Sequence, residues 1–416
     1  MTTPANPVAG SLQGLRVVEV GTSVAAPMAG QILGDLGAEV IKIERIGRGD
    51  DSRSWAPPNW DEESITFLAL NRNKKSLALD YKDPRGKRVL EDLIAAADVL
   101  VHNLRPGALA AAGFAESDLQ RLNPRLINVE MTGFGPGGPR GDQPGYDPLL
   151  QAYSGIVSIT GEDSGPPSRV PVSLLDIGTG IWAVLAVYEG LRRRDATGAG
   201  CHVELSLLQT ALTWLSVPLL AVLAGNPPPT RLGSGLAGVV PYGAYPTSDG
   251  YVFVAAGNEA AWARLCQALD AGHLTDREGF RTIGERVRAR SEVDAELGLI
   301  TGAFDTAEVL RRLGAAGVPC APVQTLDQVV HDEQVAAIGA ISPLPHERVA
   351  GLSVVNLPVT FDGARLAHRN APPGLGADTA EVLAALGRTP AEIDELVRDD
   401  IVQAAPEPAG ERMEAS

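Results

Sequence analysis

Residues 15–44 read Leu-Arg-Val-Val-Glu-Val-Gly-Thr-Ser-Val-Ala-Ala-Pro-Met-Ala-Gly-Gln-Ile-Leu-Gly-Asp-Leu-Gly-Ala-Glu-Val-Ile-Lys-Ile-Glu. Two short β-branched runs, Val17 to Val20 and Val40 to Ile43, flank a helical pattern from about Met28 to Leu36. Strand, helix, strand at this spacing is one βαβ unit, which implies two parallel strands. The alternation continues outward. Asp83 to Ala97 reads as a helix, Val99 to His102 and Arg125 to Met131 as strands, Ile181 to Arg193 as a helix and Val203 to Leu205 as a strand. The expected fold class is therefore α/β, with a large doubly wound domain around a parallel sheet.

The texture changes at Asn226-Pro-Pro-Pro229, a semi-rigid linker that cannot lie inside a helix. Beyond it Gly250 to Ala256 reads as a strand, and Ala260 to Leu269, Glu285 to Arg290 and Thr306 to Ala316 as helices. The division expected is 1–227 for the first part of the large domain, 228–328 for a smaller α+β domain, 329–403 for a return to the large domain, and 404–416 for a disordered tail.

A second segment carries the chemistry. Ser173-Leu-Leu-Asp176-Ile-Gly178-Thr179-Gly180 precedes the apolar run Ile-Trp-Ala-Val-Leu-Ala-Val-Tyr188. It reads as an extended run, a glycine-flanked turn with open space around Asp176, and then a helix. A carboxylate at a helix N-terminus is favoured by the free N–H groups and the dipole. There it can cap the helix, bind a cation or attack an acyl group. Upstream, Pro144-Gly145-Tyr146-Asp147-Pro148 reads on its own as a turn.

Other stretches join these in order: Asn71-Arg72-Asn73-Lys74-Lys75-Ser76, Ala97-Asp98-Val99-Leu100-Val101-His102-Asn103-Leu104-Arg105-Pro106-Gly107, Leu122-Asn123-Pro124, Thr197-Gly198-Ala199-Gly200 and Gly317-Val318-Pro319-Cys320-Ala321-Pro322. Taken together with residues 15–44 and Asp176, the chain from about Leu12 to about Val397 resembles the class III CoA-transferases. That superfamily includes the formyl-CoA and carnitine CoA-transferases and the α-methylacyl-CoA racemases.

The resemblance implies a Rossmann-like sheet, an interlocked ring-like homodimer, and CoA present only as part of the substrate, with no tightly bound cofactor. It implies Asp176 as nucleophile, Tyr146 and Asp147 beside the acyl group, and Arg45, Lys75 and Asn103 against adenine or phosphates. The substrates implied are an acyl-CoA and a carboxylic acid acceptor, with succinate or another short dicarboxylate as the acyl group. Two readings compete. A 2-methylacyl-CoA racemase would use a histidine where this chain has Tyr146, and a non-catalytic acyl-CoA-binding protein would not need Asp176. The glutamine that the formyl-CoA enzymes carry after the first strand aligns with Val24. Their glycine-rich lid has its nearest counterpart in Leu232-Gly-Ser-Gly-Leu-Ala-Gly238.

Composition narrows the alternatives. At 416 residues, 44% hydrophobic and 21% charged, the chain suits a soluble two-domain protein. A formal charge of −16 argues against nucleic acid as a partner. Lys42 to Arg88 is locally basic, with eleven Lys and Arg against eight Asp and Glu, and reads as a solvated surface or as a patch for an anionic ligand. Cys201, Cys266 and Cys320 have no paired spacing, the N-terminal residues show no signal peptide, and the six histidines have no metal-ligand spacing. The uncharged run Leu205 to Thr230 reads as a buried helix and linker rather than a membrane span. Cytoplasmic localisation is expected.

Overall fold

The computed structural model describes residues 10–405, so most of the expected tail lies outside it. The described residues form two compact units. The larger holds 10–150, 172–214 and 337–405; the smaller holds 151–171 and 215–336. The smaller unit thus begins ahead of the proline cluster and takes in the separate segment 151–171.

In the larger unit seven strands form one sheet. They are β1 (Arg16–Val20), β2 (Glu39–Glu44), β3 (Lys74–Leu79), β4 (Val99–His102), β5 (Ile127–Thr132), β6 (Cys201–Ser206) and β7 (Val402–Gln403). Their order is 7-3-2-1-4-5-6. All neighbours are parallel except β7, which runs antiparallel to β3 at the edge. The inner six follow the 3-2-1-4-5-6 order of doubly wound nucleotide-binding sheets.

Both faces are apolar because both are covered. On one face Val18, Ile41 and Leu100 pack against α2 (Pro84–Ala95) through Val89, Leu90 and Leu93. On the other, Val17, Val40, Val99, Val101, Ile127 and Val129 pack against α1 (Ala25–Asp35) and α4 (Leu174–Thr197). By length and composition α4 could cross a membrane, yet its Ala183, Val184 and Val187 lie in this core.

Strand β3 was not legible in the sequence, because Lys74-Lys75-Ser76 looks like surface. Lys74 is instead buried and paired with Glu19 of β1 at 2.8 Å. The expected basic patch loses other members the same way. Lys42 is fully buried against Glu19 and Asp50, and Arg72 is buried against Asp35.

The smaller unit has a three-stranded antiparallel sheet, in the order Cys320–Pro322, Tyr251–Ala255, Tyr242–Pro246. Its core sets Val252 and Val254 against Trp262, Leu265, Val309 and Leu313 of helices Glu259–Ala268 and Thr306–Ala315. The uncharged run from Leu205 is not a buried helix. It breaks into Leu207–Trp214 and Ser216–Leu223, which expose Trp214, Val217, Leu220 and Leu223.

Candidate active site

Doubly wound sheets bind ligands outside the carboxyl ends of their strands, where the strand order reverses. Here the reversal lies between β1 and β4, and the larger unit has a cavity of about 410 Å³ there. Its wall is built from the segments that leave the strands: Gly21 to Ser23 after β1, Arg45 after β2, Asn103 and Arg105 after β4, Gly133 after β5. Asp176 and Tyr146 line the same cavity.

Helix α4 begins at Leu174, ahead of Asp176 rather than after it. The expected glycine-flanked turn is therefore helical. The glycines also do not open space around the carboxylate. A Cβ on Gly180 would lie 2.9 Å from the Ala25 carbonyl oxygen, and one on Gly178 would lie 3.0 Å from Thr210 and Trp214 side chains. They are glycines because α4 is pressed onto α1 and the helix Leu207–Trp214.

Ser173 precedes α4 without capping it. The cap comes from Asp147, the first residue of α3 (Asp147–Ser154). Its Oδ2 accepts from the N–H of Leu175 at 2.6 Å and of Asp176 at 3.3 Å. Asp147 is 2% exposed and is not among the residues lining the cavity; its carboxylate faces the start of α4. Tyr146 does line it and is 58% exposed. The close approach of Gly145 to Gly133, where a Cβ on either would fall within 2.6 Å of the other backbone, brings Tyr146 over the end of β5.

Burial, and then the Asp147 charge, push the Asp176 carboxyl up to about 7. It therefore keeps its proton to higher pH than an ordinary carboxylate. Desolvation has a use, because a carboxylate held out of water is the better nucleophile.

The expected CoA contacts are placed unequally. Arg45 lines the cavity, but it is exposed, ion-paired with Asp51 and bonded to the Gly49 carbonyl at 3.1 Å. Asn103 lines it too, with its amide committed to the Thr22 backbone: Oδ1 accepts at 3.0 Å and Nδ2 donates at 2.9 Å. Lys75 sits near the start of β3, away from the cavity, paired with Glu39 and Glu381 at 2.8 and 2.9 Å. Among the lining residues that the sequence did not mark as site residues is Arg105, an exposed cation after β4. Its place in Asn103-Leu104-Arg105-Pro106-Gly107 was the available signal. Val24, where a glutamine would stand, is buried and outside the lining. His102 points to a separate hollow with Glu130 and His202, and burial holds it down to about 4. Among the described residues no group of His, Cys, Asp and Glu has the arrangement of a metal site.

The model of CoA-transferase family III matches residues 12–379. The chain is 37% identical over 372 residues to succinyl-CoA:glutarate CoA-transferase of Mus musculus, covering 89% of this chain and 85% of that one. It is 35% identical over 381 residues to succinate–glutarate CoA-transferase of Agrobacterium fabrum, covering 90% and 95%. A solved structure of a CAIB/BAIF family protein from Brucella suis superposes with a TM-score of 0.84 at 34% identity, covering 91% of this chain and all of that one. On the family model and these relatives, the chain belongs to CoA-transferase family III.

Proposed function

We propose that this transferase moves CoA from succinyl-CoA to a short dicarboxylate such as glutarate, with Asp176 as the nucleophile. The observation that carries the reading is a desolvated carboxylate, free of capping duty, lining the switch-point cavity beside Tyr146.

The chemistry follows from that carboxylate. An ionised Asp176 oxygen attacks the thioester carbonyl, the C–S bond breaks, and a mixed aspartyl–succinyl anhydride and CoA thiolate form. The thiolate attacks the aspartyl carbonyl, giving an aspartyl-CoA thioester and releasing succinate. Glutarate then attacks that thioester. The returning thiolate attacks the glutaryl carbonyl of the new anhydride, leaving glutaryl-CoA and free Asp176. The thioester free energy is conserved in each exchange, and water must be kept from both anhydrides. Arg45 and Arg105 on the cavity wall suit the anionic parts of CoA and the distal carboxylate.

Tyr146 is more than half exposed in the single chain. The interlocked homodimer would supply its cover and keep water out. The three free cysteines suit a reducing cytoplasm. Against the racemase reading, no histidine stands among the cavity-lining residues to act as a second acid–base group.

The test mixes the protein with succinyl-CoA and glutarate and follows glutaryl-CoA by mass. Exchange supports the transferase. Loss of α-deuterium from a 2-methylacyl-CoA without exchange supports the racemase, and neither supports a binding protein.

A further inference from the structure

The segment Gly21-Thr22-Ser23 leaves β1 and forms part of the cavity wall. Its backbone is held by side chains from other strands and loops. The Gly21 carbonyl accepts from Lys42 Nζ at 2.9 Å. Thr22 is held on both sides by the Asn103 amide. The Ser23 N–H donates to Asp50 Oδ1 at 2.9 Å. Ser23 itself has φ of 73°, a left-handed conformation that a non-glycine residue keeps only when its surroundings enforce it.

What enforces it is a buried charge network. Lys42 Nζ lies 2.7 Å from both Asp50 and Glu19, and these side chains are wholly buried. Lys42 Nζ thus donates to Glu19 and to the Gly21 carbonyl and is ion-paired with Asp50. Asp50 Oδ1 also accepts from the Ser52 N–H and hydroxyl, each at 2.8 Å. Lys74 closes the network on the other oxygen of Glu19 at 2.8 Å. Two lysines balance two carboxylates. Burial pulls Lys42 down, but Asp50, Glu19 and Glu44 hold it well above its ordinary value. Burial likewise raises Asp50, and Lys42 more than offsets that, to about 2.

A buried ion pair is a poor device for stability alone, since a well-packed apolar pair often does as well or better. This one ends on the backbone of the segment that shapes the cavity and leads into Ala25, the start of α1. We propose that Lys42 and Asp50 are positioning residues, a buried clamp that sets Gly21 to Ser23 in the geometry the transfer needs. The proposal rests on the CoA-transfer reading of the Asp176 cavity.

The experiment measures kcat and KM for succinyl-CoA with glutarate as acceptor, from pH 5 to 9, on Asp50→Ala and Asp50→Asn. Folded state is checked by circular dichroism and thermal melting. Asparagine keeps an acceptor for the Ser23 N–H but loses the charge facing Lys42; alanine loses both. Misplacing reacting groups by about 1 Å costs about 10²-fold. The expected result is therefore a kcat lower by about 10²-fold in Asp50→Ala and about tenfold in Asp50→Asn, with KM within about threefold. The pair stays ionised over this range, so the acid limb set by Asp176 should stay where it is in the wild type. Should Asp50→Ala not fold, Asp50→Asn decides alone. A folded variant with wild-type kcat overturns the proposal. So does a kcat loss matched by an equal loss of folded protein. Failure of wild-type Asp176 to form a covalent adduct with succinyl-CoA would sink the nucleophile reading instead, which keeps the two failures apart.

Discussion

The carboxylate of Asp147 lies 2.6 Å from the Leu175 N–H and 3.3 Å from the Asp176 N–H, so one aspartate caps the helix that carries the other. The arrangement divides labour between two like charges. Asp147 satisfies N–H groups that Ser173 leaves without a side-chain partner, and its charge, after burial, keeps a proton on Asp176 to higher pH. Asp176 is left with no capping duty.

Replacing Asp147 separates these two effects. Asp147→Asn keeps an acceptor oxygen and removes the charge. The acid limb of kcat/KM should move down, yet stay above the ordinary carboxylate range, because burial is the larger cause of the Asp176 shift. Asp147→Ala also removes the cap and should cost about 1–2 kcal/mol in urea unfolding. An unmoved acid limb in Asp147→Asn would show that the two carboxylates do not communicate.

Asp176 gives a signed pH dependence. Its folded value of about 7 stands above the ordinary 3.9, so the native state holds a proton that the unfolded state has released between about pH 4 and 7. Native stability from this group is therefore lost as pH rises through that window. Asp176→Asn cannot titrate. It should match the wild type at pH 4 and exceed it at pH 8, by at most about 4 kcal/mol. Transfer should vanish in this variant, while wild-type kcat/KM climbs through pH 7. Equal stability of the two proteins at both pH values, read by denaturant unfolding, would contradict the raised Asp176 carboxyl.

The sequence disclosed what local patterns encode. The alternation of Val17–Val20, a helix and Val40–Ile43 gave the parallel sheet, and Val99 to His102 matches β4 residue for residue. Asp176 stood out by its flanking residues. What stayed hidden depends on contacts between distant segments. Lys42 and Lys74 read as surface because their buried partners, Glu19 and Asp50, lie in other parts of the chain. Gly178 and Gly180 read as turn residues because α1 and the helix Leu207–Trp214, which press on them, come from elsewhere. The capping role of Asp147 spans 28 positions to Leu175 and has no local signature. Arg105 has no local mark of a site residue, since only the sheet order brings the β4 exit to the cavity.

Gly180→Ala tests the contact between α4 and α1. In an exposed helix this change gains about 1 kcal/mol. Here the new methyl would sit 2.9 Å from the Ala25 carbonyl oxygen and 3.0 Å from Met28 Cβ. Overpacking of this kind costs about 1–3 kcal/mol, so the net effect should be destabilising. Because Ala25 lines the cavity, kcat should fall as well. A stabilised and fully active variant would mean that the helices are not in this contact.

The assembly should be a dimer of about 87 kDa, twice the 43.5 kDa chain. The helix Ser216–Leu223 exposes Val217 at 79%, Leu220 at 68% and Leu223 at 82%, an apolar surface that a monomer would carry at risk of aggregation. An obligate dimer would not dissociate on dilution short of unfolding. Sedimentation at low micromolar concentration measures this directly, and a folded 43.5 kDa species contradicts the interlocked dimer.

Tyr146 separates transfer from racemisation. If its ring covers the thioester and moves no proton, Tyr146→Phe keeps that cover. One neutral hydrogen bond is worth roughly 0.5–1.5 kcal/mol, so the loss in rate should be about tenfold at most. Tyr146→Ala should cost more and raise hydrolysis of succinyl-CoA relative to transfer, because water then reaches the anhydride. Tyr146→His places a titratable ring on the cavity wall, and α-proton exchange should appear or rise. The deciding measurement is deuterium wash-in at the α-carbon of a 2-methylacyl-CoA on the wild type. A phenol hydroxyl is a poor base for an α-proton, so wash-in should be slow beside CoA exchange with glutarate. Rapid wash-in without CoA exchange to any acid tested would reverse the assignment, with Asp176 as one acid–base group of a racemase.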